Sequence, residues 1–277
     1  MITTTFKARL STALLFMICG IVAFPMFWAL STSLRIEAEA VTFPPNLLPR
    51  TWTLEHYLAV FRNDTFPLEL VNSLFYSTAA TLLAILVSLP AAYAASRFDS
   101  PDRDRLMMLI LATAMIPGVA ILIPLYLLLD HSGLLNSRLA VIVISAAYFA
   151  PQSVWFMKNF IDTVPRELDE AAMIDGASTW TILHKVIFPL IRPGLAAIFV
   201  LGFIITWNDY IIVAVFYPDT LGRTLQVALV NQVFDSIGIS WTYLMSFAIV
   251  SSIPVVLLFL LAQKWFVAGL TAGSVKG

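Results

Sequence analysis

Glu167, Asp169, Glu170 and Asp175 share one short polar stretch with two adjacent alanines, Ala171 and Ala172, and with Gly176-Ala177. Residues of this kind suit contact rather than bond making. Carboxylates pair with basic groups on another surface, and alanines let that surface approach closely. A second polar group, Trp207-Asn208-Asp209-Tyr210, interrupts an apolar run. The histidines His56, His131 and His184 are scattered and show no metal-ligand spacing. The single Cys19 sits in an apolar run, so no intrachain disulfide can form. There is no G-x-x-x-x-G-K-S/T phosphate loop, so the chain cannot supply its own ATPase.

The elements that must position these groups are membrane helices. The chain has 277 residues, 60% hydrophobic and 12% charged, against about 25% charged in soluble domains. A formal net charge of -1 gives no nucleic-acid signal. The length suits one polytopic membrane domain, residues 1–277, and leaves little for a second, soluble one. A helix needs roughly 20 mainly apolar residues to cross the hydrocarbon core. Six stretches meet that need: Leu10–Ser33, Leu70–Ser96, Leu106–Leu129, Leu139–Met157, Gly194–Phe216 and Tyr243–Gln263. The expected fold class is therefore an all-α polytopic membrane protein. The first stretch follows Lys7 and Arg9 as a signal peptide would, but it is too long for one. No small-x-small cleavage site follows it, so it reads as a retained helix.

Basic residues set the expected orientation. With the N-terminus cytoplasmic, Lys7, Arg9, Arg97, Arg103, Arg105, Lys158, Arg166, Lys185, Arg192, Lys264 and Lys276 fall inside. Only Arg35, Arg50, Arg62, Arg138 and Arg223 fall outside. Both termini are thus expected in the cytoplasm.

Two segments outside the lipid are long. The external one, Leu34–Glu69, carries Pro44-Pro45, Pro49 and an amphipathic stretch at Leu54–Phe61. It reads either as a surface for an external partner or as a structured cap on the bundle. The internal one, 158–193, holds the acid-and-alanine stretch. Pro165 suits the first position of a helix, and Glu167, Asp169 and Glu170 complement the positive end of its dipole. Leu168, Ala171 and Ala172 are expected on one face. Gly176 suits a left-handed stop. Ser178 can cap a second helix, Thr179–Val186, which Pro189 and Pro193 end. The result is a helix–turn–helix that reads either as a plain interfacial hairpin or as a docking surface worked by another protein.

The spacing E-A-A-x-x-D-G-A over 170–177, followed by Ile187-Phe188-Pro189, resembles the EAA loop of binding-protein-dependent ABC-importer permeases. Phe188 stands where leucine or valine is more usual, and the position stays large and apolar. Three further segments are similar to the maltose-type permeases. They are Met115-Ile116-Pro117-Gly118 with Ile123-Pro124-Leu125-Tyr126 and Gly133-Leu134-Leu135-Asn136; Trp207-Asn208-Asp209-Tyr210; and the tail Phe266–Gly277. The resemblance covers nearly the whole chain.

That resemblance implies a type I ABC importer permease fold in the inner membrane of a bacterium or archaeon. The implied partners are a homologous second permease, two cytoplasmic ABC ATPase subunits that bind ATP-Mg, and an extracytoplasmic solute-binding protein. The subunit itself is implied to be no enzyme and to hold no cofactor. Glu167, Glu170, Ala171, Ala172, Asp175, Gly176 and Ala177 are the implied ATPase-docking residues, with Glu170 facing a basic residue of the ATPase. The tail is implied to reach toward the ATPase dimer interface. The implied cargo is a carbohydrate or related polyol, with glycerol phosphate as an alternative.

Trp207, Asn208, Asp209 and Tyr210 are the candidate lining of the solute path. Asp209 lies about fifteen residues from Gly194, roughly 22 Å along a helix, toward the outer side of the membrane. It reads either as a lining group that binds sugar hydroxyls or as an interhelical polar contact. Asn72, Ser73, Gln152 and Ser153 are further path candidates. Pro117, Pro124 and Pro254 interrupt spans and free backbone groups that neighbours must satisfy. Two rivals remain at this level. A self-sufficient secondary transporter would need inverted repeats and broken helices, and no internal repeat is visible. A membrane enzyme would need a paired nucleophile and base or metal ligands at membrane depth, and none stands out.

Overall fold

A computed structural model describes the backbone of residues 2–235 and 240–272, and the side chains of 11–234 and 240–263. In chain order the helices are α1 (Ile2–Ser33), α2 (Glu37–Ala40), α3 (Glu55–Arg62), α4 (Phe66–Arg97), α5 (Arg103–Thr113), α6 (Gly118–His131), α7 (Arg138–Asp162) and α8 (Glu167–Ile174). They continue with α9 (Thr179–Ile182), α10 (Phe188–Leu190), α11 (Arg192–Trp207), α12 (Ile211–Phe216), α13 (Leu225–Asp235) and α14 (Trp241–Ala272). Among the described residues the only bridge is an isolated antiparallel one, Arg35 to Trp52.

Four helices, α1, α4, α7 and α14, are each long and apolar enough to cross a membrane. Two bent pairs raise the number to six if each is one span. The expected third span is the first of these. It is not a continuous helix: α5 and α6 meet at 83° across residues 114–117. Pro117 caps α6. It offers no N–H and pushes Ile116 out of the helical region, so the helix must stop there. Pro124 and Pro254, expected to interrupt spans, instead sit inside α6 and α14.

The second bent pair joins residues Thr179–Leu190 to α11 at 80°. Pro189 does not end the second loop helix. A π turn, Leu183–Ile187, widens the helix, and the N–H of Phe188 bonds Leu183 O. The wide turn admits the Pro189 ring, and the helix runs on to Leu190. The expected fifth span, Gly194–Phe216, is also broken. Helix α11 stops at Trp207, and α12 starts at Ile211. Asn208 Nδ2 donates to Ile204 O at 2.8 Å, and Asp209 Oδ1 accepts the N–H of Ile212 at 2.8 Å. Asp209 thus takes over a backbone donor from the helix ladder, and the Asn208 amide doubles the bond that its own N–H makes to Ile204 O. Helix α7 exceeds its expected end, Met157, by a turn that the Lys158–Asp162 ion pair closes at 2.6 Å.

The chain forms two compact units, Met1–Pro67 with Leu229–Ile253, and Leu68–Ala228 with Pro254–Gly277. In the first, the external segment is tied down by its own contacts. Arg35 is buried, donates to Ser31 Oγ at 2.7 Å and stacks over Trp28. Ser33 and Tyr57 share a 2.6 Å hydrogen bond, and Phe66 meets Phe247 edge to face. Glu37 accepts from the backbone N–H groups of Trp241 and Thr242 and from the Ser240 and Thr242 hydroxyls. Burial alone would raise the Glu37 pKa, but these bonds outweigh it and hold the carboxyl below its ordinary range. The amphipathic stretch expected at Leu54–Phe61 is α3, with Val60 fully buried. The same segment leaves Phe43 and Trp52 exposed.

In the second unit, α11 packs on α7 at glycines. A Cβ at Gly194 would fall 2.4 Å from the Phe160 ring, and one at Gly202 would fall 2.5 Å from the Phe149 ring. Small residues of this kind let membrane helices approach closely. The core below them gathers Phe149, Met157 and Ile161 of α7 with Ile182 and Ile187 of the 158–193 loop.

Candidate functional site

Helix α8 presents two unlike faces. Glu167, Glu170, Ala171 and Ile174 lie at i, i+3, i+4 and i+7, and all are exposed. Leu168 and Met173 stand exposed beside them, and Ile174 is 87% exposed. Apolar side chains this open on a short acidic helix form an outward contact face. The inner face is Asp169 and Ala172. Asp169 is buried, and Ala172 and Ala177 pack against the core. Ala172 was expected on the face with Leu168 and Ala171, and the structure turns it inward. Pro165 does not take the first helical position either. Arg166 is the cap, and α8 begins at Glu167.

The end of α8 follows from Gly176, whose φ is +80°. The N–H of Gly176 bonds Met173 O at 3.0 Å, and that of Ala177 bonds Ala172 O at 2.9 Å. This paired closure is a Schellman turn, which needs a left-handed residue where Gly176 stands. Asp175 is exposed at the C-cap. Ser178 Oγ then accepts the N–H of Thr181 and starts α9, as expected. Trp180, 62% exposed, packs against His184 with the rings tilted at 48° and their centroids 4.0 Å apart.

Asp169 anchors α8 from behind. Its Oδ2 pairs with Arg97 Nε at 2.9 Å, and its Oδ1 accepts from Tyr93 Oη at 3.0 Å. The Arg97 and Asp169 side chains are 7% and 6% exposed. Arg97 also donates to Val164 O, and Arg166 donates to Ser96 O. Ser96 Oγ in turn donates to Asp162. The last turn of α4 is thereby stapled to both ends of the link between α7 and α8. From the sequence Asp169 reads as a dipole-compensating acid and as one of the carboxylates that face another surface, not as an internal anchor. The available signal was its i, i+3 pairing with Ala172, which puts it on the far side of the helix from Glu167 and Ala171.

The structure does not bring the second candidate group together at one place. Trp207 is buried and stacks on Phe203 at 5.3 Å. Asn208 is exposed and bonds back to its own helix. Tyr210 packs against a core of Tyr76, Val141, Ile212 and Phe216. Asp209 alone lines a cavity of about 540 Å³ beside the α5–α6 bend, together with Tyr148 and Gln152 of α7. Asn72 and Ser73 are engaged elsewhere. Asn72 donates to Leu221 O and Arg223 O, and Ser73 accepts from Leu225 N. Both hold the loop that leads into α13. Ser153 is buried and away from the cavity wall. Among the described residues no group of His, Cys, Asp and Glu could hold a metal ion. Gly273–Gly277 of the C-terminal tail lies outside the described residues.

Residues 84–272 match the family model described as "Binding-protein-dependent transport system inner membrane component". The chain is 34% identical to the inner membrane ABC transporter permease protein YcjP of Escherichia coli K12, over 93% of this chain and 92% of that one. It is 33% identical to the trehalose/maltose transport system permease protein MalG of Thermococcus litoralis, over 92% and 91%. Its structure is similar to a chain of a bacterial ABC transporter involved in the import of the acidic polysaccharide alginate. The TM-score is 0.80 at 25% identity, covering 95% of this chain and 98% of that one.

Proposed function

Since the chain belongs to the family of binding-protein-dependent transport system inner membrane components, we propose that α8 is the helix by which a separate ATPase drives it. On this reading residues 1–277 act as one transmembrane domain. It has six spans, both termini in the cytoplasm and the 158–193 loop facing the ATPase. The chain forms half of the path for a carbohydrate or related polyol. A homologous permease forms the other half, and an extracytoplasmic binding protein delivers the solute. Two ATPase subunits bind ATP-Mg, and this chain holds no cofactor. The sugar named for the Thermococcus litoralis relative supports the cargo class.

The observation that carries the reading is the two-faced α8. Its outer face, Glu167, Glu170, Ala171 and Ile174, is open to a partner, while Asp169 ties its inner face to Arg97. A push on the outer face therefore passes to the end of α4 and not into a slack loop. Ala172, Gly176 and Ala177 contribute by fixing that geometry. Asp175, at the exposed C-cap, adds a charge at the rim. An exposed rim ion pair at Glu170 is worth under about 1 kcal/mol, so shape outweighs charge in the contact.

Gly176→Asp tests this. Nothing lies within 4 Å of the added Cβ, so the chain should insert and fold. The left-handed φ costs about 1–3 kcal/mol with a side chain present, which loosens the turn that sets α8. Uptake should fall at least about tenfold, the loss that 1.4 kcal/mol corresponds to. Full uptake with normal ATPase co-purification in that variant would remove α8 from the coupling role.

A further inference from the structure

We infer that the cavity at the α5–α6 bend is a solute subsite within this subunit, built for an uncharged polyhydroxylated solute and against an anionic one. The inference rests on the importer reading above and names the cargo class for the path.

The cavity opens because Pro117 breaks the third span. Its volume, about 540 Å³, lies in the roughly 300–1,000 Å³ range of small-molecule sites, which admits one or two sugar rings. Its walls are mostly apolar, from Ile121, Leu122, Ile144 and Phe216. Four polar side chains line it: Thr113, whose hydroxyl donates to Ile110 O, and Tyr148, Gln152 and Asp209. Tyr148 and Gln152 lie one turn apart on α7. Asp209 comes from the break between α11 and α12, where one carboxylate oxygen accepts the N–H of Ile212. Gln152 Oε1 is buried and meets no donor in the fold. A buried acceptor without a partner carries a desolvation cost that a hydroxyl donor would relieve.

Acceptors facing an apolar wall and the rings of Tyr148 and Phe216 suit a sugar. Hydroxyls donate to Gln152 and Asp209, and the C–H face lies on Tyr148 and the aliphatic wall. The residues lining the cavity include no lysine, arginine or histidine, and the one carboxyl group is that of Asp209. A phosphate or uronate entering here would meet no counter-charge, and its desolvation would go uncompensated.

The test uses the complex isolated from native membranes through a tag on this chain, held in nanodiscs without its binding protein. The probes are glucose and glucuronate, whose rings match and whose charge differs. Saturation transfer from the protein to each sugar is read by NMR. Transfer to glucose should exceed transfer to glucuronate at least about fivefold. Gln152→Leu should cut the glucose signal severalfold. Asp209→Asn keeps an oxygen for the Ile212 N–H and should raise the glucuronate signal relative to glucose. Equal or preferred binding of glucuronate overturns the inference, as does no binding of either sugar. So does a glucose signal indifferent to Gln152→Leu in a variant whose melting temperature is unchanged. ATP hydrolysis co-purifying with the tag is scored separately. If it is present while the sugar result fails, only the subsite falls; if it is absent, the importer reading fails.

Discussion

Asp169 is the residue on which the proposed lever turns, and its neighbours show why. Its carboxylate has one oxygen on Arg97 and the other on Tyr93, all in a nearly dry site. Removing one member of a buried ion pair leaves the other charge stranded, at a cost of about 3–5 kcal/mol. Asp169→Ala and Arg97→Ala should each lower thermal stability by that order. The double variant Asp169→Leu with Arg97→Met should recover most of it, because an apolar pair of similar volume strands no charge. If the double variant is no more stable than either single one, Asp169 and Arg97 do not act as a unit. Uptake should stay low in the stable double variant, since the directional tie between α4 and α8 is gone. Little of this was legible in the sequence. Tyr93 and Arg97 precede Asp169 by some seventy positions, 76 for the tyrosine, and no local pattern links them. Gly176 was legible because its constraint is local: a left-handed stop after an acidic helix asks for glycine and nothing further away.

At the scale of elements, the long apolar helices were readable because hydrocarbon thickness dictates their length. Helices α1, α4, α7 and α14 cover the expected spans. The breaks were harder. Pro117 stops a helix and Pro124 does not, and the local rule for proline is the same at both. What differs is the packing around each, which the local sequence does not carry. The π turn at Leu183–Ile187 was hidden for the same reason, since nothing in its residues favours a wide turn until Pro189 must be accommodated. Close packing of α11 on α7 depends on absent side chains. Gly202→Val would drive its Cβ to 2.5 Å from the Phe149 ring and 2.7 Å from Thr81. Overpacking of this kind costs about 1–3 kcal/mol, so the variant should melt several degrees lower. Gly20→Val, where nothing lies within 4 Å of an added Cβ, should leave the melting temperature unchanged. A Gly202→Val variant as stable as the parent would mean that α11 can move off α7 without loss.

For the molecule as a whole, the open matter is how the broken fifth segment meets the membrane. Helix α11, Arg192–Trp207, is about 24 Å long at 1.5 Å per residue, and α12, Ile211–Phe216, adds about 9 Å. Neither alone matches a hydrocarbon core of about 30 Å, but the two in succession do. A crossing leaves Ser178 and Thr220 on opposite sides; a re-entrant turn leaves them on the same side. In the proposed orientation, which rests on the bias of Lys and Arg, Ser178 faces the cytoplasm. The break does not argue against crossing, because Asp209 satisfies the Ile212 N–H that the interruption frees. Single cysteines at Ser178 and Thr220, in a Cys19→Ser background, decide it with a membrane-impermeant maleimide. Thr220→Cys should be labelled in intact cells with the outer membrane permeabilised, and Ser178→Cys only in inside-out vesicles. Labelling of both from one side would make α11 and α12 a re-entrant pair. It would also put α8 and the α12–α13 loop in the same compartment, and α8 could not then meet a cytoplasmic motor while that loop faced the binding protein.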